Sequence, residues 1–420
     1  MRFIAVKILN LLAKKIVAKH KPAIIGITGS VGKSSARKAI YEVLKTRYAV
    51  ACNKSEYHSD ISIPLSVIGE KSGGRSVLKW AKIFMKAVKI LSGHEKYPEI
   101  LILEMDVNRP GDMKRLLKVV KPNIGIFTGV GEYPSHLEYF KDARHIAREK
   151  SLLIRTLGKK DLAIVNYDDD YAKELASGAK SDVITYGFDP KSKFIAEEIF
   201  LGDRKWRIED GSIGMGFKIS QNGTTVPFRL PYAFGRAQIY AVLASCAVGS
   251  FFGFNLLEIS EILSKYQPLA GRMKLIKGIN KSLIIDDTFN ANPSSMLVTL
   301  ESLGKLDASR RIAVLGDMLE LGEYSKEGHA EVGKKVSKTS DVLFTFGSLS
   351  KMIGENARTS GMNKGKMAHF DKIEDLILNL RGMAREHDVI LVKGSRSMHM
   401  EEIVRGLMEK PELADELLVK

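Results

Sequence analysis

Three glycines, a lysine and three serines crowd into the run GITGSVGKSS, Gly26 to Ser35. Phosphate binding is the chemistry such a run can do. Gly26, Gly29 and Gly32 let the backbone turn tightly so that its N–H groups, that of Ser30 among them, face phosphate oxygens. Lys33 reaches the β- and γ-phosphates and the Ser34 hydroxyl holds Mg2+. A strict phosphate loop reads G-x-x-x-x-G-K-[ST], and counting back five from Gly32 lands on Ile27, so the leading glycine, Gly26, is one residue early. A glycine-rich turn with a chance lysine would share these letters, but the apolar run before it and the helical pattern after it favour the nucleotide reading.

Other polar groups end apolar runs. ILILEMD would set Glu104 at the carboxyl edge of a sheet beside the loop, where a second Mg2+ could sit. IIDDTFNANPSS carries Asp286 and Asp287 to such an edge, and LVKGSRSM ends on Lys393, Ser395 and Arg396, suited to gripping an anion, although a plain basic turn would look the same. His136 in SHLEYF and Lys150 in AREKSLL carry little signal alone. These residues reach an Mg2+-nucleotide site on one α/β unit faced by a second, without naming an acceptor.

The elements that must position them alternate. From Ala23, AIIGIT, EILILEMD, NIGIFTGVG and DLAIVNYDD are each followed by a helical pattern, which predicts a parallel sheet covered by helices. Between about Lys193 and Tyr232 short pieces with turn signals, EDGSIGMG and SQNGTT, predict antiparallel hairpins added to that sheet. After PLAGR a second alternation runs through SLIIDD, RIAVLGDM, DVLFTFGS and DVILVKGS, with a boundary near Gly271. The fold class is α/β: a P-loop parallel-sheet domain over 23–270, then a Rossmann-like α/β domain over 271–420, with residues 1–22 a basic amphipathic helix before both.

In that first helix Val6, Leu9, Leu12, Ala13, Ile16 and Val17 share one arc, and Lys7, Asn10, Lys14 and Lys21 another. The pattern suits a helix on an anionic membrane surface, and suits slightly better one packed on the protein's own body. Neither a signal peptide nor a membrane span is expected. The 420 residues carry 65 Lys+Arg against 49 Asp+Glu, a net charge of +16 that suits polyanionic ligands. With no aromatic-interleaved basic patch and no zinc-finger spacing, no nucleic-acid partner is expected. Two cysteines, Cys52 and Cys246, give neither a metal spacing nor a disulfide framework and fit a reducing cytoplasm.

Taken in order, GITGSVGKSS, HLEYF…AREKS, PLAGR, DDTFNANPSSM, LGDMLELGE and LVKGSRSM resemble the Mur ligases, most of all the members that add D-alanyl-D-alanine to a UDP-muramoyl tripeptide, from Ala23 to Leu407. The resemblance implies an ATP-dependent amide ligase working through an acyl phosphate, with ATP, a cell-wall peptide precursor and an amino acid or dipeptide amine as partners. A cytoplasmic monomer is expected, and the first helix leaves open a peripheral contact with the inner face of the membrane. By position, Lys33, His136 and Lys150 would be catalytic. Gly29, Ser30, Gly32, Lys33 and Ser34 would hold phosphate and Mg2+, and Glu104 and His136 a second Mg2+. Lys150 would be the family's carbamylated lysine. Arg272 would lie by the phosphates, Asp287 and Asn292 by the nucleotide, and Lys393, Ser395 and Arg396 by the incoming dipeptide.

Several positions depart from the family pattern. Only about twenty residues precede the loop where members usually carry a domain for the UDP-sugar, so a chain without that domain is expected. His58 and Ser59 replace an Asn-Asn pair, Ser62 and Asp106 replace glycines, and Gln238 and Ala241 replace two asparagines, which would weaken the adenine side. Two other readings stay open: an amide ligase of the folylpolyglutamate or poly-glutamate type, and a nucleotide-binding scaffold without turnover.

Overall fold

A computed structural model describes residues 2–53, 59–201 and 214–419 of the chain. The apolar run after Lys21 becomes β1 (Ala23–Thr28), an interior strand of a nine-stranded sheet. The other strands are β2 (Val50–Cys52), β3 (Ile100–Glu104), β4 (Ile124–Phe127), β5 (Leu162–Asn166), β6 (Asp182–Gly187), β7 (Phe194–Leu201), β8 (Gly214–Gln221) and β9 (Thr224–Pro231). The order is β2-β3-β1-β4-β5-β6-β7-β8-β9. Pairing is parallel as far as β7 and antiparallel beyond it.

Side chains of β1 alternate between two cores, Ile25 and Ile27 on one face and Ile24 on the other, as a sheet covered on both faces requires. In chain order the helices are α1 (Arg2–His20), α2 (Lys33–Leu44), α3 (Ser59–Ile68), α4 (Val77–Ser92), α5 (Asp112–Leu117), α6 (Ala143–Arg155), α7 (Asp170–Ser177), α8 (Arg236–Phe251) and α9 (Leu256–Leu263). Helices α2, α8 and α9 cover the Ile25 face, while α1 and α3 to α7 serve the other. The expected SQNGTT turn joins β8 to β9, with Asn222 and Gly223 at φ 49° and 81°. Residues 209–213 of the EDGSIGMG turn lie outside the described residues, as do His58 and the side chain of Ser59.

The second sheet holds β10 (Lys274–Lys277), β11 (Leu283–Asp286), β12 (Arg310–Gly316), β13 (Val342–Phe346), β14 (Met367–Phe370) and β15 (Asp388–Lys393), in the order β10-β11-β15-β12-β13-β14. Only β10 runs antiparallel. The helix after β11, α10 (Pro293–Gly304), starts on Asn292 as its N-cap.

One expectation changes, and the two readings of α1 resolve in favour of the preferred one, packing on the body. Gly26 belongs to the interior of β1, paired with Leu103 and Gly125, and is no part of the loop. A Cβ there would stand 2.8 Å from Pro122 Cγ and 2.9 Å from Met105 Sδ, so close packing under the strand explains this glycine. The apolar arc of α1 faces the body: Leu9, Ala13 and Ile16 are fully buried beside α3 and α4. Among the described residues no helix is long and apolar enough to cross a membrane. Leu9→Ala should therefore cost about 2–5 kcal/mol of stability in urea unfolding. A loss below 0.5 kcal/mol would mean that α1 is not part of the core.

Candidate nucleotide and metal site

The carboxyl ends of β1, β3, β11 and β15 face one cleft that both sheets line. Its floor is the glycine loop. Gly29 and Gly32 take φ values of 143° and 85°, and Gly32 precedes α2 without any side-chain cap. The leading N–H groups of α2 thus point into the cleft, which makes an anion site. The loop is strapped down from β4: Ser30 N–H donates to Gly129 O at 2.8 Å and Thr128 Oγ1 to Val31 O at 2.7 Å. Lys33 Nζ bends back to Gly29 O at 2.9 Å and pairs with Asp106 at 3.2 Å.

Glu104 ends β3 at the same place. Its Oε2 accepts from Ser34 Oγ at 3.0 Å, and Arg37 pairs with Oε1 at 2.5 Å. Asn53 clasps the Glu104 backbone from both sides, accepting from its N–H at 2.9 Å and donating to its carbonyl at 3.1 Å. Ser34 and Glu104 are hard oxygen donors in contact, which fits Mg2+ beside a nucleotide phosphate, because that ion takes one or two protein oxygens and completes its shell from phosphates and water. Among the described residues no group of three His, Cys, Asp or Glu side chains could hold a metal unaided.

Further along the cleft Lys150, 2% exposed, aims its amine at Asp106, 3.9 Å away. Burial, and then the like charge of Lys33, push that amine down to about 7 against the pull of Asp106. Burial works to raise the Asp106 carboxyl, but the Lys33 and Lys150 ammoniums and His136 outweigh it and hold it well below the usual carboxylate range. His136 lines the cleft in a left-handed conformation, φ 66°, and its Nδ1 lies 3.0 Å from Glu320 of the opposite half. Tyr133 adds bonds across the same boundary, its N–H to Ser294 Oγ and its hydroxyl to Glu327, each at 2.9 Å.

The second half contributes Arg272, which stacks 3.9 Å over Phe289 and donates to Ser34 Oγ at 3.2 Å. Asp287 pairs with Lys393 at 2.7 Å and accepts from Thr299 Oγ1 at 3.0 Å. Asn292 lines the cleft while capping α10 and donating to Ser135 Oγ at 2.7 Å. The structure does not bring Ser395 and Arg396 to the cleft wall: Ser395 Oγ accepts from Leu319 N–H at 2.9 Å, and Arg396 pairs with Glu401 at 2.8 Å.

The two departures on α8 separate. Gln238 donates to the Arg272 carbonyl at 2.7 Å and accepts from Tyr266 at 3.0 Å, so it braces the entry to the second half. Ala241 walls a second cavity of about 700 Å³ behind the loop, with Ala36, Asn166, Tyr186, Tyr240 and Val298. Sequence reasoning missed Arg37, Asn53 and Glu320. Arg37 had a signal, since it stands three residues after Ser34 on the same face of α2, whereas Asn53 follows a three-residue strand that has no pattern.

Asp286, fully buried below the cleft, accepts from Gly271 N–H at 2.8 Å and from Thr288 Oγ1 at 2.6 Å. Burial pushes its carboxyl up to about 6, against those hydrogen bonds. With an unfolded value near ~3.9, the folded chain holds the extra proton, so this stabilisation is complete below about pH 4 and is lost as pH rises through about 6. Asp286→Asn should flatten that stretch of the stability curve in urea titrations. An unchanged slope would mean that the carboxyl is not raised.

Comparisons with known proteins give consistent findings. Residues 27–249 match the model of the Mur ligase middle domain, and residues 271–396 match that of the Mur ligase glutamate ligase domain. The UDP-N-acetylmuramoyl-tripeptide–D-alanyl-D-alanine ligase of Bacillus subtilis is 28% identical over 405 residues, 96% of this chain and 79% of that protein. The Escherichia coli K12 enzyme of the same name is 26% identical over 94% of this chain and 78% of its own length. Among solved structures, MurF ligase from Thermotoga maritima in complex with ADP superimposes with a TM-score of 0.79 at 24% identity, covering 98% of this chain and 84% of that one.

Proposed function

The chain belongs to the Mur ligase family, and from that premise we propose that it is an ATP-dependent ligase joining D-alanyl-D-alanine, or a similar amine, to the carboxylate of a cell-wall peptide precursor. One observation carries the reading: the glycine loop with Lys33, Ser34 and Glu104 on one sheet meets Arg272, Asp287 and Lys393 from the other across a single cleft. Use of ATP and of a cell-wall precursor supports a cytoplasmic location. The division into 1–22, 23–270 and 271–420 follows the two sheets, each completed within its own stretch.

Each group has work suited to its place. The α2 N-terminus and Lys33 bind the β- and γ-phosphates, and Arg272 adds charge where phosphoryl transfer between two anions needs it. A precursor carboxylate oxygen attacks the γ-phosphorus, releasing ADP and leaving an acyl phosphate. The amine then adds to the acyl carbon, phosphate departs and the amine loses a proton. Mg2+, held by Ser34 and Glu104, would neutralise phosphate charge. A second would lie by Glu104, His136 and a carbamylated Lys150. A buried amine brought down to about 7 is neutral often enough to add CO2, which supports that modification. Gly29, Ser30 and Gly32 shape the phosphate cradle. Asp287 and Asn292 flank the nucleotide, whose base suits the cavity walled by Ala241, where the buried Tyr186 hydroxyl has no hydrogen-bond partner among the described residues. Of the residues assigned to the dipeptide, Lys393 meets it, and Ser395 and Arg396 hold the turn that presents Lys393. Contacts from Tyr133 and His136 to the second half help exclude water from the acyl phosphate.

Phosphate release should require ATP, a UDP-muramoyl peptide and an amine donor together, and Lys33→Ala should abolish it while leaving the unfolding midpoint unchanged. Release with ATP alone at the full rate would instead make the chain a plain ATPase.

Lys150→Ala should fold and bind nucleotide yet lose ligation by about 100-fold or more. Lys150→Arg should do no better, because arginine stays charged. Short carboxylic acids added to the alanine variant should restore part of the rate. Full activity in Lys150→Ala would remove the carbamate.

A further inference from the structure

Six of the thirteen exposed large hydrophobic side chains among the described residues lie on just two helices, α1 and α4. Both pack through buried faces into one core: Leu9, Ala13 and Ile16 on α1, and Ile83, Ala87 and Ile90 on α4. They touch each other, Lys19 Nζ bonding the Leu91 carbonyl and His20 the Ile90 carbonyl. Their outer faces therefore form one side of the molecule. On α4 the exposed Val77, Leu78, Ala81, Met85 and Val88 share an arc of roughly 100°, opposite the buried residues. This helix thus has two apolar faces, one of them bare. Val77 and Leu78 are 81% and 77% exposed, and Met85 and Val88 are 57% and 58% exposed. Lys82 and Lys89 border the stripe, and Lys79 lies beyond them. On α1 the exposed Ile8 and Leu11 stand among Lys14, Lys15 and Lys19.

Neither helix carries an acidic residue. Among the described residues Lys86 of α4 pairs with two carboxylates from outside these helices, Glu70 and Glu95. We infer that this side of the molecule is a docking surface for an anionic lipid bilayer, on which α1 and α4 lie flat with their apolar residues at the acyl boundary and their lysines among the headgroups. The arc that the sequence pattern of α1 suggests for lipid is buried in the core. The surface is the opposite face, completed by α4. A bordered apolar stripe and unbalanced positive charge are the two attractions such docking needs. A second copy of the chain would set lysine rows against lysine rows, which is repulsive. The cleft opens at the strand ends while these helices flank the sheet, so docking leaves the cleft accessible.

The test is co-sedimentation of the full chain with vesicles of phosphatidylcholine alone and of phosphatidylcholine mixed with phosphatidylglycerol, at about 0.05 M and 0.5 M salt. Binding should appear only with the anionic lipid and weaken at the higher salt. The variant Leu78→Glu/Met85→Glu/Val88→Glu should lose about tenfold or more of it, as should Lys82→Glu/Lys89→Glu, each with the wild-type unfolding midpoint and phosphate release. No partition of the wild-type chain into anionic vesicles, equal binding to neutral ones, or undiminished binding by both variants would overturn the proposal. So would a concentration-dependent dimer in size exclusion that the triple variant abolishes while wild type ignores vesicles, which would assign the face to self-association.

Discussion

A carboxylate at the end of a buried strand has to be neutralised, and the cleft is organised around how Glu104 meets that demand. Leaving such a charge unpaired would cost several kcal/mol, about as much as one folded domain can spare. Arg37 supplies the opposite charge, Ser34 a hydrogen bond, and Asn53 fixes the backbone so that the carboxylate cannot swing away. Arg37 and Ser34 are one turn apart on α2, so the interaction that satisfies Glu104 also fixes the rotation of α2 and hence the direction in which its N-terminal N–H groups point. Anion site and metal donors are thereby set by one packing event.

The second half is tied to this centre by a short run of backbone. Gly271, at φ 67°, passes so near Phe289 that a Cβ would stand 2.7 Å from that residue's N atom. Its N–H goes to Asp286, and the carbonyl of the next residue, Arg272, goes to Gln238. With backbone held from both sheets, the Arg272 guanidinium arrives beside Ser34. Gln238 thus braces the entry to the second half.

Strands that end in polar residues were legible because the letters report both burial and edge. AIIGIT, ILILEMD, SLIIDD and DVILVKGS each locate a strand and the group it delivers, and Lys33, Glu104, Asp287 and Lys393 do line one cleft. Other features left no local trace. The amphipathic arc of α1 looks the same whether lipid or protein covers it, and only the three-dimensional neighbours decide. Helix α4 has apolar residues on both faces, so its pattern does not stand out as one-sided. Glu320 reaches His136 from the other half of the chain, a pairing no window of sequence contains. Gly26 reads as a loop glycine because close packing and tight turning ask for the same residue.

Asp106 gives the cleft a charge balance of its own. As an ammonium, Lys150 shares that carboxylate with Lys33, and one anion is met by two cations. Carbamylation would reverse the sign of Lys150 and set two anions close together with Lys33 and His136 the remaining neighbours, and two like charges about 4 Å apart repel by several kcal/mol at the effective dielectric of a protein, roughly 20. Phosphates also compete for Lys33. A modified Lys150 is therefore tolerable only where a divalent cation lies between the two anions, whereas an unmodified one is tolerable without it. Were Lys150 carbamylated, the carboxylate at 106 would make that modification and a cation at the adjacent position depend on each other.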